Sequence, residues 1–224
     1  FYHGGVKMNF EPEYVRFALE KSLERLRTKH IDVYQLHNPP GEVVLDLKMQ
    51  RLMEKLKQEG KIRAFGISVH EPEEAVEAIE SGNADAIQIP FSLFRQEWIS
   101  EILPLARKRN VAVIAREPLA NGFLTGKYTG KDERAQGDIR HRMGKRHTEQ
   151  QAKLGRGFSS LARDGRTQAQ AAIKFVLSFP EVSTTIPGIK TPAQAEENLA
   201  ASAAPELSRE EMATARGWWA KMNA

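Results

Sequence analysis

The chain has 224 residues, of which 41% are hydrophobic and 28% are charged, so we expect an ordinary globular protein of one domain or possibly two with a substantial core. It contains no cysteine, which excludes disulfides and thiolate metal sites and fits a reducing compartment. The net charge of +4 is mild and gives no sign of a nucleic-acid partner. The start FYHGGVKMNF does not resemble a signal peptide, and no apolar run approaches the ~20 residues of a membrane span. We therefore predict a cytoplasmic protein.

Helix-like and strand-like segments alternate along the chain. The first segment carries Val15, Leu19, Leu23 and Leu26 on one helical face, and a later helix opens with a capping box formed by Thr167 and Gln170. The predicted helices are 11–26, 45–60, 71–82, 97–110, 167–179 and 191–200, with a terminal amphipathic helix around Trp218. The predicted strands are 31–37, 62–69, 86–90, 111–117 and 182–187.

The strands are joined by helical crossovers and are therefore expected to be parallel, as in an open doubly wound sheet or in an eight-stranded α/β barrel. An open dinucleotide-binding sheet would be expected to carry G-x-G-x-x-G after its first strand, and this spacing does not occur. Barrel sites instead collect at the carboxyl ends of several strands. Candidate site residues follow that distribution here: His37, Ser68, Gln88, Arg116 and Gly188. The pattern therefore favours a (β/α)8 barrel.

Five segments resemble, in order and spacing, the signature segments of the aldo-keto reductases. They are YVRFALEKSLERLRTKHIDVYQLHNP, GKIRAFGISV, IQIPFSLF, REPLANGFLTGKY and TTIPGIKTPAQAEENL. The resemblance spans nearly the whole chain and implies one TIM barrel domain over residues 1–224. It also implies a nicotinamide cofactor, usually NADPH, and the reduction of small carbonyl compounds to alcohols, with no metal.

The same resemblance predicts that part of the barrel is missing at the amino terminus. It makes strand 31–37 the fourth strand of the family's barrel, after three strands that supply a catalytic tyrosine, aspartate and lysine. About eighty residues of a typical barrel are then absent, and Lys7, in a glycine-flanked loop, is not a replacement for the lysine. We therefore expect a fragment of a longer protein, inactive as a reductase by itself, in which strands 4–8 are present.

The resemblance assigns a catalytic role to His37, whose neutral imidazole would donate a hydrogen bond to the reacting carbonyl oxygen. Ser68 and Gln88 match positions that bind the nicotinamide carboxamide, while Val69 stands where the family often has asparagine and removes one polar contact. Arg116 stands where many members stack a tyrosine on the nicotinamide ring, and its alternative is an ion pair with Glu117.

The segment PLANGFLTGKY matches the loop that covers the cofactor in the family, and its alternative interpretation is a tight turn. Its candidate cofactor residues are Pro118, Leu119, Gly122, Leu124 and Lys127. Residues 131–157 follow with eight Lys or Arg against four Asp or Glu. Because aromatic residues are not interleaved with these cations, we predict a mobile solvated loop near an anionic cofactor and not a nucleic-acid contact.

The segment IPGIKTPAQAEEN predicts a helix whose amino end suits an anion, with Thr191 as N-cap and Gln194 closing a capping box. The family holds the adenosine 2′-phosphate at this place, with a lysine and an arginine that are Gly188 and Gln194 here. Lys190 can stand in for the lysine, and Glu197 with Asn198 match the pair that reaches the adenine. We therefore expect NADPH, with less discrimination against NADH than two cations would give.

Two functions are compatible with these residues. The first is an NADPH-dependent carbonyl reductase. The second is a nicotinamide-binding regulatory or sensor subunit with little turnover, or an inactive fragment of a reductase. A tyrosine, an aspartate and a lysine on three preceding strands would distinguish the enzyme from the other two.

Overall fold

The structure is a computed structural model that describes residues 8–129, 138, 140 and 143–222. The residues group into two compact units. Unit 1 comprises Phe1–Ile89 and Glu101–Val113, and unit 2 comprises Pro90–Ser100 and Ile114–Ala224. The single domain over 1–224 stays a prediction. None of the described helices is long and apolar enough to cross a membrane.

All five predicted strands are present, and each begins and ends within one residue of its predicted bounds. They are β1 (Ile31–His37), β2 (Ile62–Ser68), β3 (Ala86–Pro90), β4 (Ala112–Arg116) and β5 (Val182–Ile186). The strand order in the sheet is β1-β2-β3-β4-β5, with parallel pairing of β1 to β2 and of β2 to β3. Consecutive parallel strands with helical crossovers are the arrangement that the sequence predicted.

A helix lies in every segment that the periodicity indicated, although the helix predicted over 97–110 is shortened to Ile102–Lys108. They are α1 (Pro12–Leu26), α2 (Gly41–Val44), α3 (Leu47–Gln58), α4 (Pro72–Glu80), α5 (Ile102–Lys108), α6 (Lys145–Arg156), α7 (Gln168–Leu177), α8 (Pro192–Ala200) and α9 (Arg209–Met222). Two 3₁₀ helices, Ala120–Thr125 and Ser159–Leu161, complete the described elements. The short α2 and both 3₁₀ helices were not predicted, because segments of three to six residues are too short to show a helical period.

The prediction of a loop over residues 131–157 is wrong for its second half, which forms α6. This helix buries only Thr148, Ala152 and Gly155, and its outer face is basic. The helix is amphipathic, but its buried residues are small and the segment is rich in charged and polar residues, so it looks like a solvated loop in the sequence. Residues 131–137, 139, 141 and 142 of the predicted loop lie outside the described residues.

In unit 1, helix packing determines which face of β1 carries the candidate site residues. Helix α1 buries Val15, Leu19 and Leu23, as predicted, whereas Leu26 of the same predicted face is exposed, because it is the last residue of the helix. The Tyr34 hydroxyl of β1 donates to the Val15 carbonyl oxygen at 3.3 Å. Side chains alternate along a strand, so His37 lies on the face of β1 opposite to Tyr34. The parallel register aligns His37 with Ser68, and Ser68 with Gln88. Three predicted site residues therefore lie side by side on neighbouring strands, with His37 and Ser68 as the last residues of β1 and β2 and Gln88 inside β3.

In unit 2, the nearly continuous burial of α7 forms the centre of the core. Every residue from Gln168 to Val176 is buried, and the predicted capping box between Thr167 and Gln170 is present at its start. Lys174 reaches the Glu206 carboxylate at 2.5 Å from within this buried helix. A helix buried all round must satisfy its polar side chains internally, and these contacts do so.

Candidate cofactor site

A small neutral cluster occupies the ends of β1, β2 and β3 in unit 1. The Ser68 hydroxyl is 3.3 Å from Asn38 Oδ1 and donates to it, and Gln88 Nε2 donates to the Ser68 hydroxyl at 3.4 Å. Asn38 has a left-handed backbone with φ of 51°, and its N–H donates to the Ser68 carbonyl oxygen at 3.0 Å. His37 is exposed beside this cluster. The sequence did not indicate Asn38, although asparagine is a residue that tolerates this conformation.

The cluster has the polar groups that a carboxamide needs but holds them loosely. Both side-chain hydrogen bonds are near the long limit for such contacts, so they are weak and can be exchanged for bonds to a ligand. Ser68 is buried, and Val69 is buried as part of the core. The strand ends can therefore offer a hydroxyl and an amide to a neutral ligand group.

A cavity of about 410 Å³ lies within unit 2. Its size is within the range of small-molecule sites. Most of the predicted cofactor residues of this unit line it, namely Arg116, Leu119, Gly122, Lys127, Gly188, Lys190, Gln194, Glu197 and Asn198. The remaining walls include residues that the sequence did not indicate: Glu117, Asn121, Thr125, Tyr128, Asp138, Arg140, Ala169, Ile186 and Ile189.

Three other candidates in this unit do not line the cavity. Pro118 and Leu124 are buried, and Thr191 caps α8. Leu124 belongs to the 3₁₀ helix Ala120–Thr125, in which Asn121 and Gly122 have left-handed φ values of 55° and 90°. The tight turn therefore exists, and it brings Leu119 and Gly122 to the cavity while it directs Leu124 into the core.

The charged residues of the cavity wall are arranged in pairs. Arg116 and Glu117 form a short ion pair, as the alternative interpretation of Arg116 predicted, and Lys127 Nζ is 2.9 Å from the Glu197 carboxylate. The hydrogen bond from Lys127 lowers the pKa of Glu197, whereas burial lowers the pKa of Arg116. These two cations of the wall, Arg116 and Lys127, therefore already have anionic partners.

The third pair belongs to a stacked cluster. The Arg140 guanidinium lies 3.6 Å from the centre of the Tyr128 ring and binds the Asp138 carboxylate at 2.5 Å. This hydrogen bond holds the pKa of Asp138 well below its usual range. Lys190 Nζ is 3.6 Å from the same carboxylate, with its side chain 70% exposed. No sequence signal indicates this cluster, because Tyr128 meets Arg140, and Lys190 meets Asp138, only through the fold.

The amino end of α8 differs from the predicted capping box. The Thr191 hydroxyl accepts the Gln194 N–H at 3.3 Å, as predicted. The Gln194 side-chain oxygen, however, accepts the N–H of Lys190 at 2.7 Å and not that of Thr191. Asn198 Nδ2 donates to the Gly188 carbonyl oxygen at 3.4 Å. The loop before α8 is therefore tied to the helix by two side chains, and the Lys190 ammonium group remains at the cavity.

The profile of the Aldo/keto reductase family matches residues 1–220, so the chain belongs to that family. The NADP(+) aldo-keto reductase yakc of Schizosaccharomyces pombe is 30% identical over 205 residues, covering 88% of this chain and 60% of its own length. The NADH-specific methylglyoxal reductase of Escherichia coli is 33% identical over 123 residues, covering 54% of this chain and 38% of its own.

The solved structure of the glycerol dehydrogenase AKR11B4 from Gluconobacter oxydans matches with a TM-score of 0.79 and 30% identity, covering 96% of this chain and 66% of that one. The aldo-keto reductase fold predicted from the sequence is thereby confirmed. The chain spans about three-fifths of the length of the curated relatives that match most of it.

Proposed function

We propose that the protein is a nicotinamide-dependent oxidoreductase that reduces small aldehydes or ketones to alcohols, with NADPH as its preferred cofactor. The observation that supports this proposal is the cavity of unit 2, where predicted cofactor residues from two distant stretches of sequence lie together. Those stretches are 116–127 and 188–198. Membership of the aldo/keto reductase family supports the same chemistry.

The donor set of the cavity fits the phosphorylated end of such a cofactor. The wall carries four cations, Arg116, Lys127, Arg140 and Lys190, and only three carboxylates, so it favours an anion. Ile186 and Ile189 are half exposed at the cavity and offer an apolar surface to a flat heterocycle. The apolar and cationic parts of one wall therefore match the adenine and the phosphates.

The choice between NADPH and NADH depends on Lys190. Its ammonium group is largely exposed and already near Asp138, so its contact with a 2′-phosphate would be partly screened. We therefore propose a modest preference for NADPH. The two relatives named above, one an NADP(+) enzyme and one NADH-specific, agree with a family in which this preference varies.

Unit 1, taken by itself, offers polar groups that suit a carboxamide and a carbonyl substrate. A bound nicotinamide cofactor supplies the hydride for reduction of a carbonyl carbon. Ser68 and Gln88 would hold a carboxamide in place of their present hydrogen bonds. His37, exposed beside them, donates a hydrogen bond to the carbonyl oxygen, which gains negative charge as reduction proceeds.

The second candidate function is a sensor with little turnover, and the position of Tyr34 supports this candidate. This hydroxyl donates to the Val15 carbonyl oxygen on the face of β1 opposite to His37, and burial raises its pKa. Tyr34 is therefore not a proton donor for a carbonyl beside His37. The enzyme needs that donor from elsewhere in the intact protein, whereas a sensor needs none.

Cofactor titration of the intact protein tests binding. We expect Lys190→Met to weaken NADPH about three- to tenfold and to leave NADH nearly unchanged, since an exposed charge contact is worth about 1 kcal/mol. Lys145→Met is the matched control, because Lys145 is exposed on α6 and does not line the cavity. Equal weakening of both cofactors would remove Lys190 from the phosphate site, and the absence of any binding would refute the proposal.

Turnover tests the role of His37. We expect His37→Ala to lower kcat with an aldehyde by about a hundredfold, as for loss of one donor to a developing oxyanion, with little change in NADPH affinity. His30→Ala is the control, because His30 lies in the same unit and only approaches Asp32 at 3.9 Å. An unchanged kcat would remove His37 from catalysis. NADPH binding by the wild type without turnover of any aldehyde would favour the sensor.

A further inference from the structure

The Asp138 carboxylate is fixed in the wall of the cavity of unit 2. Its Oδ1 atom accepts from Arg140 Nε at 2.9 Å and from the Arg140 backbone N–H at 3.0 Å, and its Oδ2 atom accepts from Nη2 at 2.5 Å. Two parallel bonds from a guanidinium fix the direction of a carboxylate as well as its distance. The two side chains are 8% and 9% exposed, so the carboxylate cannot turn away without breaking three poorly hydrated hydrogen bonds.

Lys190 meets the same carboxylate in a different way. Its ammonium nitrogen is 3.6 Å from Asp138 Oδ2, which is longer than a hydrogen bond, and its side chain is 70% exposed. An exposed lysine on a flexible stem exchanges its partner at little cost. Lys190 can therefore move towards a ligand in the cavity, whereas Asp138 stays in place.

This carboxylate distinguishes a phosphate from a hydroxyl group beside Lys190. The hydrogen bond from Arg140 holds the pKa of Asp138 well below its usual range, so the group is ionised at neutral pH. A phosphate ester carries a charge of about −1.5 to −2 at that pH, and it is repelled by a fixed carboxylate that water screens poorly. A hydroxyl group carries no charge and can donate a hydrogen bond to a carboxylate oxygen.

We infer that Asp138 determines cofactor specificity in the cavity, because it opposes a 2′-phosphate and accepts a hydrogen bond from a free 2′-hydroxyl. The role of Asp138 rests on the proposed function, in which Lys190 contacts the 2′-phosphate of NADPH. Lys190 attracts this phosphate, and the carboxylate 3.6 Å from the ammonium nitrogen repels it. The preference for NADPH is therefore modest because of Asp138, and removal of the charge of Asp138 increases it.

Fluorescence titration of the intact protein with NADPH and NADH tests this role, and the ratio Kd(NADH)/Kd(NADPH) is the readout. Asp138→Asn removes the charge but keeps Oδ1, the oxygen that accepts two of the three bonds from Arg140. We expect NADPH to bind about tenfold more tightly to this variant, because the repulsion is gone. NADH should bind with the same affinity or up to about threefold more weakly, because its 2′-hydroxyl loses an ionised acceptor.

A double-mutant cycle with Lys190→Met adds a readout that a purely structural role of Asp138 would not produce. In the wild type, Lys190 must leave a carboxylate in order to contact the phosphate. In the Asp138→Asn background it has no such partner to leave. Lys190→Met should therefore weaken NADPH about threefold more in that background than in the wild type.

Two adenine nucleotides without a nicotinamide ring isolate the same step. Adenosine 2′,5′-bisphosphate and adenosine 5′-monophosphate differ only in the 2′-phosphate. In competition titrations, Asp138→Asn should tighten the bisphosphate about tenfold and change the monophosphate less than about threefold. Asp164→Asn is the matched control, because Asp164 also lies beside an arginine, 3.1 Å from Arg163 Nε, but is 61% exposed and does not line the cavity. It should leave all of these affinities unchanged.

The outcomes separate the role of Asp138 from the proposed function. A higher ratio in Asp138→Asn and an unchanged ratio in Asp164→Asn support the role. An unchanged or lower ratio in Asp138→Asn, or equal changes for both cofactors, overturns it while the proposed cofactor site stands. A wild-type protein that binds neither NADPH nor NADH overturns both. Thermal unfolding checks each variant, and Asp138→Ser, which also removes the charge and keeps an oxygen acceptor, takes the place of an Asp138→Asn variant that does not fold.

Discussion

Unit 2 contains ion pairs in two regions, and they differ in what surrounds them. In the buried framework between α7 and α9, the side chains of Arg166 and Glu211 are 1% and 8% exposed. Arg166 also donates to the carbonyl oxygens of Leu161, Pro205 and Glu206 at 2.9–3.1 Å. In the cavity wall, the Lys127 side chain is 58% exposed, and its ammonium group is 2.9 Å from the Glu197 carboxylate.

This difference indicates two separate uses of charge. A buried pair with every donor satisfied cannot release a partner without leaving an uncompensated charge in the core, so it is suited to holding chain segments together. A pair at the rim of a cavity can exchange its partner for a ligand at little cost, because water screens the charge. We therefore expect changes in the framework to alter stability and changes in the wall to alter binding.

The largest expected effect is on the framework. Arg166→Met should lower the free energy of unfolding by about 3–5 kcal/mol, because it leaves the Glu211 carboxylate buried without its main partner and removes donors from three carbonyl groups. Urea unfolding of the intact protein measures this. Arg163→Met is the matched control, since the Arg163 side chain is 58% exposed, and it should leave the free energy of unfolding nearly unchanged. Equal costs for the two variants would contradict the distinction.

The next effect concerns the packing of α6. A Cβ added at Gly155 would lie 2.1 Å from the Phe123 carbonyl oxygen, which is backbone and cannot move aside cheaply. Gly155→Ala should therefore destabilise the protein by about 1–3 kcal/mol, although alanine is the better helix former.

Gly217→Ala provides the control for this prediction. Gly217 lies within α9, and an added Cβ there meets no atom within 4 Å. This change should stabilise the protein by up to about 1 kcal/mol. Thermal unfolding of both variants measures opposite shifts in Tm. Stabilisation by both changes would mean that α6 does not approach the 3₁₀ helix so closely.

The smallest expected effect is the pH dependence of the wall pair. The folded-state pKa of Glu197 lies below the ordinary glutamate value of 4.5, chiefly because Lys127 donates to it. Its contribution to stability is therefore complete above about pH 4.5 and is lost as the pH falls through the lowered pKa. Glu197→Gln should remove this part of the acid sensitivity, with a change of about 0.5 kcal/mol.

Acid unfolding of the wild type and of Glu197→Gln measures that difference. Glu196→Gln is the control. Glu196 precedes Glu197 in the chain, is exposed and makes no ion pair within residues 143–222. We expect the slope of stability against pH to change only in the Glu197 variant. The same slope in both variants would show that the wall pair does not form in solution.

The sequence by itself determined the elements whose signals are local. Each strand is a short segment dominated by apolar or β-branched residues, and the capping box of Thr167 and Gln170 needs only two residues of one turn. The aldo-keto reductase fold and the candidate residues at 116–127 and 188–198 followed from ordered motifs. These features depend on residues near one another in the chain, so their spacing is visible without the fold.

The tertiary structure alone decided how charges and glycines are used. One cluster brings together side chains from separate segments, namely Lys190, Asp138, Arg140 and Tyr128. Helix α6 packs through Gly155, because an added Cβ there would lie too close to the Phe123 carbonyl oxygen. Gln194 binds the N–H of Lys190 where the motif alone indicated Thr191. Long-range contacts depend on side-chain direction and on packing that fills space in three dimensions, and a one-dimensional pattern contains neither.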